Sequence, residues 1–344
     1  MYLFKLIAKL IRWLNQKRGK KPQIIFFDTN CFRKIARDLP SSVTFTMNKI
    51  LICEAYYGKL SCANYYVLSE MLKHLTDVPP SIDYSECKLG LKAAINHIEG
   101  DEKRLLYSAD GQILLFFFHP NLPTTFKKQS EESIIDAIKI LDNHQFSDEI
   151  INHNRTQITQ TNQYINTLKQ SWSQDTIAQF IRSIDPTFQL TDNFAFMHNP
   201  TQRAIELQKL KAAETSGNIF NLFAIGVCGY IQNNFNIPVN PNQQHLDAIK
   251  IRFRPIFYLQ LRIIKKYFSD GYNHNNQKKL NDIIDYLICT ALSPQAIFVT
   301  NETRNLKRFL AEAGIINVMT LSEYLKTIGL NRLAKKLALS RELI

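Results

Sequence analysis

Short apolar runs, each ending at polar residues, mark strands near both ends of the chain. Residues 24–27 read IIFF and are followed at once by Asp28, Thr29 and Asn30. A continuous apolar run of this length is typical of a strand that is buried on both faces of a parallel sheet. By the same criterion, further strands are predicted at 59–63, 296–300 and 316–320. The sequence therefore predicts a parallel sheet built from both ends of the chain.

Apolar residues at helical spacing predict helices around these strands. In the stretch ANYYVLSEMLKHL, Asn64 is a suitable N-cap for the helix that follows the second strand. The other helices near the two ends are predicted at 31–38, 46–57, 279–292, 302–314, 322–330 and 331–343. Strands and helices that alternate in this way indicate the α/β class.

Residues 80–277 differ in texture from both ends. They are rich in Asn, Gln, Ile and Lys, and they show helical patterns without β alternation. The pair Pro79-Pro80 marks the boundary at which this segment begins. Neither end is large enough to form a sheet-based domain alone. We therefore predict one discontinuous α/β domain over 22–79 and 278–344, interrupted by a mainly helical insertion over 80–277.

Residues 1–21 contain no acid and are predicted to form a basic amphipathic helix. Leu3, Ile7, Leu10, Ile11 and Leu14 recur at helical spacing, with lysine and arginine between them. Three interpretations stay open for this helix: it packs against the body of the protein, lies on an anionic membrane or a partner, or contributes to a nucleic-acid surface. Basic residues interrupt the apolar stretch, which argues against a signal peptide, and no transmembrane segment is predicted.

Charge and the pattern of cysteines and histidines narrow the function classes. The net charge of +12 favours a polyanionic partner such as nucleic acid or an anionic membrane surface. The cysteines show no CxxC spacing and the histidines no HxxxH pair. We therefore expect neither a disulfide framework nor a zinc site. Reduced cysteines of this kind are typical of cytoplasmic proteins, so we expect a cytoplasmic location.

Four acids stand in settings that favour a shared site. Asp28 ends a buried strand, Glu70 lies in the helix after the second strand, Asp285 is the only charge in IIDYLICTAL, and Glu302 follows the strand AIFVT. In open parallel sheets, ligands bind outside the carboxyl ends of the strands, and carboxylates that converge there repel one another unless a hard cation such as Mg²⁺ is bound. Each acid also has an ordinary interpretation: Asp28 as a turn former or N-cap, Glu70 as a solvated residue, Asp285 as a hydrogen-bond acceptor in the core, and Glu302 as a first-turn acid.

In this order, the four acids and their surroundings resemble the PIN-domain family of metal-dependent ribonucleases. Members open with an apolar strand followed by Asp-Thr/Ser-Asn, matched here by IIFFDTNCF, and continue with a strand and a Glu-bearing helix, matched by SCANYYVLSEML. DYLICTAL is similar to the family's Asp-x-x-Ile-x-x-x-Ala helix, and IFVTNET to its strand that ends in Thr-x-Asp. The resemblance covers residues 22–78 and 278–328 and implies a three-layer α/β/α fold with a short central parallel sheet.

The same resemblance implies a site for Mg²⁺ or Mn²⁺. Its catalytic acids would be Asp28, Glu70, Asp285 and Glu302, where the last stands at a position that is more often Asp in the family. Its metal ligands would be Asp28, Glu70 and Asp285, with Asp282 as an alternative on nearly the same helical face. Residues implied to orient ligands or to bind phosphate are Thr29, Asn30, Thr300, Asn301, Arg304, Lys307 and Arg308.

The activity expected from this resemblance is endonucleolytic hydrolysis of RNA by metal-activated water, with tRNA or another structured RNA as substrate. The fold's common bacterial use adds the expectation of a toxin or phage-defence effector, with an inhibitor (antitoxin) protein or a second copy as partner. Two alternatives stay open. One is a catalytically degenerate PIN-like scaffold that binds RNA or protein, and the other is a membrane-peripheral or partner-binding helical protein that uses residues 1–21.

Overall fold

Strands from both ends of the chain pair in one parallel sheet. In the computed structural model, β1 (Gln23–Phe27) lies at the centre, between β2 (Lys59–Asn64) and β4 (Ile297–Val299). The outer strands are β3 (Leu105–Leu106) and β5 (Val318–Met319), so the order is β3-β2-β1-β4-β5, and every neighbouring pair is parallel. The register places Phe26 of β1 beside Cys62 of β2 and Phe298 of β4. The predicted α/β class and the small parallel sheet are confirmed.

The structure describes part of the chain. The described residues are 2–77, 81–101, 104–106, 148–156, 158–160, 162–163, 166, 199–235, 242–254, 257–258, 261–262, 265, 269, 288, 296–301, 310–311 and 317–339. The predicted helices at 279–292 and 302–314 fall almost wholly outside them.

Helices follow β1, β2 and β5 where the apolar spacing predicts them. Those near the N-terminal strands are α1 (Tyr2–Lys17), α2 (Thr29–Asp38), α3 (Val43–Tyr56), α4 (Tyr65–Lys73) and α5 (Ile82–His97). The remaining described helices are α6 (Asp148–His153), α7 (Pro200–Thr215), α8 (Asn218–Phe235), α9 (Gln243–Arg252), α10 (Leu321–Thr327) and α11 (Asn331–Leu339). Two short 3₁₀ turns, Pro40–Ser42 and His74–Thr76, precede α3 and follow α4.

One feature of the sheet differs from the sequence prediction. The segment 80–277 is predicted to be mainly helical, without β alternation, yet Leu105 and Leu106 form β3 at the edge of the sheet beside Ala63 and Asn64. Two residues are too few to show an alternation, so periodicity cannot detect such a strand. Helix α5, in the same segment, packs against α2, α3 and α4.

The chain divides into two compact units. One comprises Met1–Ile165 and Ala291–Ile344, and contains the sheet; the other comprises Asn166–Thr290. In the second unit α8 packs against α7 and α9, and the Lys250 ammonium donates to the Asn221 side-chain carbonyl at 2.9 Å. The domain boundaries drawn from the sequence at 79 and 278 stay a prediction.

Helix α1 packs against α3, as the first of its three interpretations expects. Ala8 is fully buried against Leu51 and Ala55, and the Asn15 side-chain amide donates to the Ala55 carbonyl at 2.9 Å. The Phe4 ring meets Phe45 edge-on, with 6.2 Å between centroids. Within the described part of the chain, no helix has both the length and the apolar character needed to cross a bilayer.

A buried polar cluster lies beneath the last residue of β1. Glu54 on α3 and His97 on α5 are fully buried, and the His97 Nε2 lies 2.8 and 3.0 Å from the two Glu54 carboxyl oxygens. The Tyr324 hydroxyl on α10 donates to Glu54 Oε1 at 2.8 Å. The Phe27 ring contacts both His97 and Tyr324, with centroid distances of 4.3 and 5.4 Å. This cluster joins three helices behind the residue that precedes Asp28.

Candidate acidic site at the carboxyl edge of the sheet

The strand order creates a switch point between β1 and β4. From β1 the chain adds β2 and β3 on one side, and β4 and β5 lie on the other. In open parallel sheets, a crevice forms outside the carboxyl ends of the strands where the order reverses. Asp28 directly follows β1, and Thr300 directly follows β4. Both residues therefore lie at the position where the topology favours a ligand site.

The Asp28 side chain is directed to β4 and does not cap the helix that it precedes. Its backbone is extended at the N-cap position of α2, but its carboxylate makes no capping hydrogen bond. Instead, the Thr300 hydroxyl donates to Asp28 Oδ2 at 2.8 Å. Both side chains are almost fully buried, at 2% and 1% exposure. The interpretation of Asp28 as an ordinary N-cap is therefore wrong for its side chain.

Asn64 provides the contrast, because it ends the neighbouring strand β2 and stands at the N-cap of α4, as Asp28 does at the N-cap of α2. Its side chain accepts a hydrogen bond from the Tyr66 backbone amide at 2.8 Å and so caps α4, as the sequence predicts. Two polar residues at the ends of adjacent strands thus have different tasks. Asn64 starts a helix, whereas Asp28 presents a carboxylate to the neighbouring strand.

A second carboxylate is held at the same edge by Thr29. Glu70, in the second turn of α4, is half-buried, and its Oε2 accepts a hydrogen bond from the buried Thr29 hydroxyl at 2.6 Å. The cap at Asn64 fixes where α4 begins and therefore which of its residues reach this edge. None of the described residues forms an ion pair with Glu70. The interpretation of Glu70 as a merely solvated helix residue does not fit this contact.

Two asparagines lie on the solvent side of the edge. The Asn30 side-chain amide lies 3.5 Å from Asp28 Oδ2, and the Asn301 amide lies 3.5 Å from the Asn30 carbonyl. Asn30 is exposed and Asn301 is half-buried. The structure thus brings together six of the residues predicted from the sequence, which are Asp28, Thr29, Asn30, Glu70, Thr300 and Asn301.

Two buried thiols flank these carboxylates and stay protonated. Burial, and then the nearby Asp28 charge, raise the pKa of Cys31 well above its ordinary value. Burial raises the pKa of Cys87 to about 12, and the Glu70 charge acts in the same direction. The thiolate is the nucleophilic form of cysteine, so the raised pKa values disfavour nucleophilic attack by either thiol at neutral pH.

The donor chemistry of this edge suits a hard divalent cation. Asp28 and Glu70 offer carboxylate oxygens, which Mg²⁺ and Mn²⁺ prefer, whereas zinc favours histidine and thiolate. Among the residues that the structure describes, no three His, Cys, Asp or Glu side chains come close enough to enclose a metal. A cation held here by these two carboxylates would keep water in its remaining coordination positions, as Mg²⁺ commonly does.

The other predicted site residues cannot be compared with this geometry. Asp282, Asp285, Glu302, Arg304, Lys307 and Arg308 lie outside the described residues, and their predicted roles stay predictions.

One buried acid close to the site was not predicted. Glu54 is fully buried in α3. It is the only charged residue in the stretch ILICEAY at 50–56. A lone acid in an apolar helix is the same signal that singled out Asp285, and it could have indicated a buried polar cluster here.

Comparison with protein-family models, with curated proteins and with solved structures finds no match for this chain. The resemblance to the PIN family therefore rests on the sequence motifs alone.

Proposed function

We propose that this protein is a metal-dependent endoribonuclease with a PIN-like three-layer fold, and that Asp28 and Glu70 form the core of its active site. The observation that carries this proposal is the direction of the Asp28 side chain. The Asp28 side chain does not cap α2. It accepts a hydrogen bond from Thr300 at the switch point of a parallel sheet, where ligands bind in open α/β folds. An acid placed only to start a helix would cap it.

The two carboxylates would hold Mg²⁺ or Mn²⁺. Such an ion, when bound, acts as a Lewis acid and lowers the pKa of water, which supplies a nucleophile for phosphodiester hydrolysis. The chain's own contribution is positioning. Thr300 fixes the orientation of the Asp28 carboxylate, and Thr29 fixes that of Glu70, each through a hydroxyl that is itself buried. Partners of this kind hold metal ligands in place and raise metal affinity.

The substrate would approach from the solvent side of this edge. The side-chain amide groups of Asn30 and Asn301 lie there and can donate hydrogen bonds to phosphate oxygens. Most hydrogen bonds between proteins and nucleic acids go to the phosphates and sugars of the backbone. The net charge of +12 supports a polyanionic substrate. RNA, and structured RNA such as tRNA in particular, is proposed from the family resemblance. The roles proposed for Asp285, Glu302, Arg304, Lys307 and Arg308 have the same basis.

Cleavage of total bacterial RNA tests this function. Purified wild-type protein would be compared with Asp28→Asn and Glu70→Gln in Mg²⁺, in Mn²⁺ and in EDTA. Asp247→Asn serves as the matched control, because it removes an exposed carboxylate from the other compact unit. We expect discrete products from the wild type and the control only with metal, and none from the two site variants.

Two results would contradict the proposal. Equal cleavage by all four proteins would identify a contaminating nuclease. RNA binding without cleavage by the wild type, equal in Asp28→Asn, would favour the non-cutting scaffold, which needs the fold but not the carboxylate.

A further inference from the structure

Helix α1 is turned with polar side chains towards the body of the protein. The Lys5 ammonium donates to the Glu99 carbonyl at 3.2 Å, the Arg12 guanidinium pairs with the Glu99 carboxylate, and the Asn15 amide donates to Ala55. Glu99 is buried, so these contacts fix the rotation of the helix about its axis. Ala8 and Ile11 pack on this inner face as well. Five large apolar side chains of α1 do not, although an amphipathic helix of a globular protein ordinarily buries its apolar stripe.

The outer face of α1 carries large apolar side chains. They are between 41% and 65% exposed, and they are Leu3, Leu6, Leu10, Trp13 and Leu14. Their spacing of three and four residues places them side by side along the helix. We call this surface the α1 stripe. A row of exposed leucines around a tryptophan is a typical sign of an interaction surface, whereas single exposed apolar residues are common on any protein.

Positive charge surrounds the α1 stripe, and the segment that carries it contains no acid. Residues 1–27 contain neither Asp nor Glu. The basic residues that are exposed beside the stripe and just after it are Lys9, Lys17, Arg18, Lys20 and Lys21. The Lys17 ammonium lies 5.7 Å from the centre of a Trp13 ring. The surface is therefore apolar along its centre and cationic at its margin and at one end.

We propose that the α1 stripe binds the surface of an anionic lipid membrane. The leucines and Trp13 would enter the boundary between headgroups and acyl chains, with the helix axis parallel to the bilayer, and the lysines would contact anionic headgroups. Interfacial helices are recognised by this combination of an apolar face, basic flanks and an aromatic anchor.

Charge and side-chain chemistry distinguish this partner from the others. A second copy of the chain would bring the same acid-free, basic segment against itself, since a two-fold interface pairs identical patches. A single-stranded nucleic acid would favour aromatic residues interleaved with basic ones, but Trp13 is the one aromatic residue of the stripe.

The contacts on the inner face determine how the protein would attach. Because Lys5, Arg12 and Asn15 hold α1 against the body, the helix does not have to leave α3 in order to bind. The unit that contains the sheet would lie on the membrane with α1 still packed on α3 and the α1 stripe against the lipid. This inference does not depend on the proposed nuclease function, because no residue of the acidic site takes part.

Flotation with lipid vesicles tests the proposal on the full chain. Vesicles of phosphatidylcholine alone would be compared with vesicles that contain three parts in ten of phosphatidylglycerol. The first variant is Leu6→Gln/Leu10→Gln/Trp13→Gln, and the second is Lys9→Gln/Lys17→Gln. The matched control is Ile82→Gln, which changes an apolar side chain that is 77% exposed on α5. All the altered side chains point outward, so urea unfolding should give unchanged midpoints and exclude a folding defect.

We expect the wild type and Ile82→Gln to float with the anionic vesicles, and to bind the neutral ones far more weakly. The triple variant should lose affinity by about a hundred-fold, since three apolar side chains no longer leave water. The double lysine variant should lose about 5-fold for each charge removed, and added salt should abolish that difference.

Three results would overturn the proposal. The first is no flotation of the wild type with anionic vesicles. The second is flotation of the triple variant to the same extent as the wild type. The third is a wild-type dimer that the triple variant converts to a monomer without any vesicle binding, because the stripe would then be an interface between copies of the chain.

Discussion

Removal of the Tyr324 hydroxyl should destabilise the protein without disturbing its packing. That hydroxyl donates to Glu54 Oε1 at 2.8 Å, and both side chains are fully buried. Phenylalanine keeps the aromatic ring, which meets Phe27 edge-on at a centroid distance of 5.4 Å. The substitution Tyr324→Phe therefore removes one hydrogen bond and leaves the contacts of the ring in place.

The size of the effect follows from what remains around Glu54. Its carboxyl group keeps His97 as a partner, at 2.8 and 3.0 Å, but Oε1 loses its second donor in a site that water does not reach. A hydrogen bond to a charged group contributes about 1.5–3 kcal/mol to stability. We expect Tyr324→Phe to lower the free energy of unfolding by that amount, a substantial share of the total stability of an ordinary domain, about 5–15 kcal/mol.

Urea unfolding followed by circular dichroism measures this loss. The matched control is Tyr56→Phe, which removes the hydroxyl of a tyrosine that is 70% exposed on α3. It should change the free energy of unfolding by less than about 0.5 kcal/mol. If Tyr324→Phe is as stable as Tyr56→Phe, the hydroxyl is not bonded to a buried carboxylate and the cluster behind β1 is not as described.

Three further predictions concern pH, the acidic site and a turn. Burial and the Glu54 charge raise the pKa of the Tyr324 hydroxyl well above its ordinary value, so as the pH rises the unfolded chain loses this proton before the folded protein does. Above pH 10, the free energy of unfolding of the wild type should therefore fall by about 1.4 kcal/mol per pH unit relative to Tyr324→Phe. Parallel pH curves for the two proteins would contradict this. Thr300→Val removes the hydroxyl that donates to Asp28, so the rate of RNA cleavage at low Mg²⁺ should fall about 10–100-fold. Thr300→Ser keeps the hydroxyl and should restore the rate. If the Mg²⁺ dependence of Thr300→Val equals that of the wild type, Thr300 does not position Asp28. Gly58 has a φ of +67°, and no described atom lies within 4 Å of where a Cβ would stand, so only the backbone conformation opposes a side chain there. In urea unfolding, Gly58→Ala should lower the free energy of unfolding by about 1 kcal/mol and Gly58→Asn by less. Equal stability of Gly58→Ala and the wild type would show that the turn does not require glycine.

The sequence predicts the position of the acidic site better than its contacts. Asp28 is identified because an apolar run stops at an acid, and Thr300 because the resemblance to the PIN family implies it. The hydrogen bond between them joins residues that are 272 positions apart. Local propensity favours Asp28 as a helix cap, and only the pairing of β1 with β4 shows that its carboxylate has another partner.

The rotation of α1 illustrates a different limit. Spacing alone predicts an amphipathic helix, and the usual rule would turn Leu3, Leu10 and Leu14 inward. They point outward because Arg12 pairs with the buried Glu99 on the opposite face of the helix, and because Ala8 and Ile11 pack there against α3. Both causes lie in tertiary structure, which periodicity does not contain.

Direct measurement of Mn²⁺ binding tests the central claim, that Asp28 and Glu70 form a cation site. Electron paramagnetic resonance of free Mn²⁺ would be followed during titration with wild type, Asp28→Asn, Glu70→Gln and the control Asp247→Asn. We expect saturable binding by the wild type and the control, competition by Mg²⁺, and a loss of affinity of more than about ten-fold in both site variants. Mn²⁺ binding of equal strength in the wild type and Asp28→Asn would contradict the account.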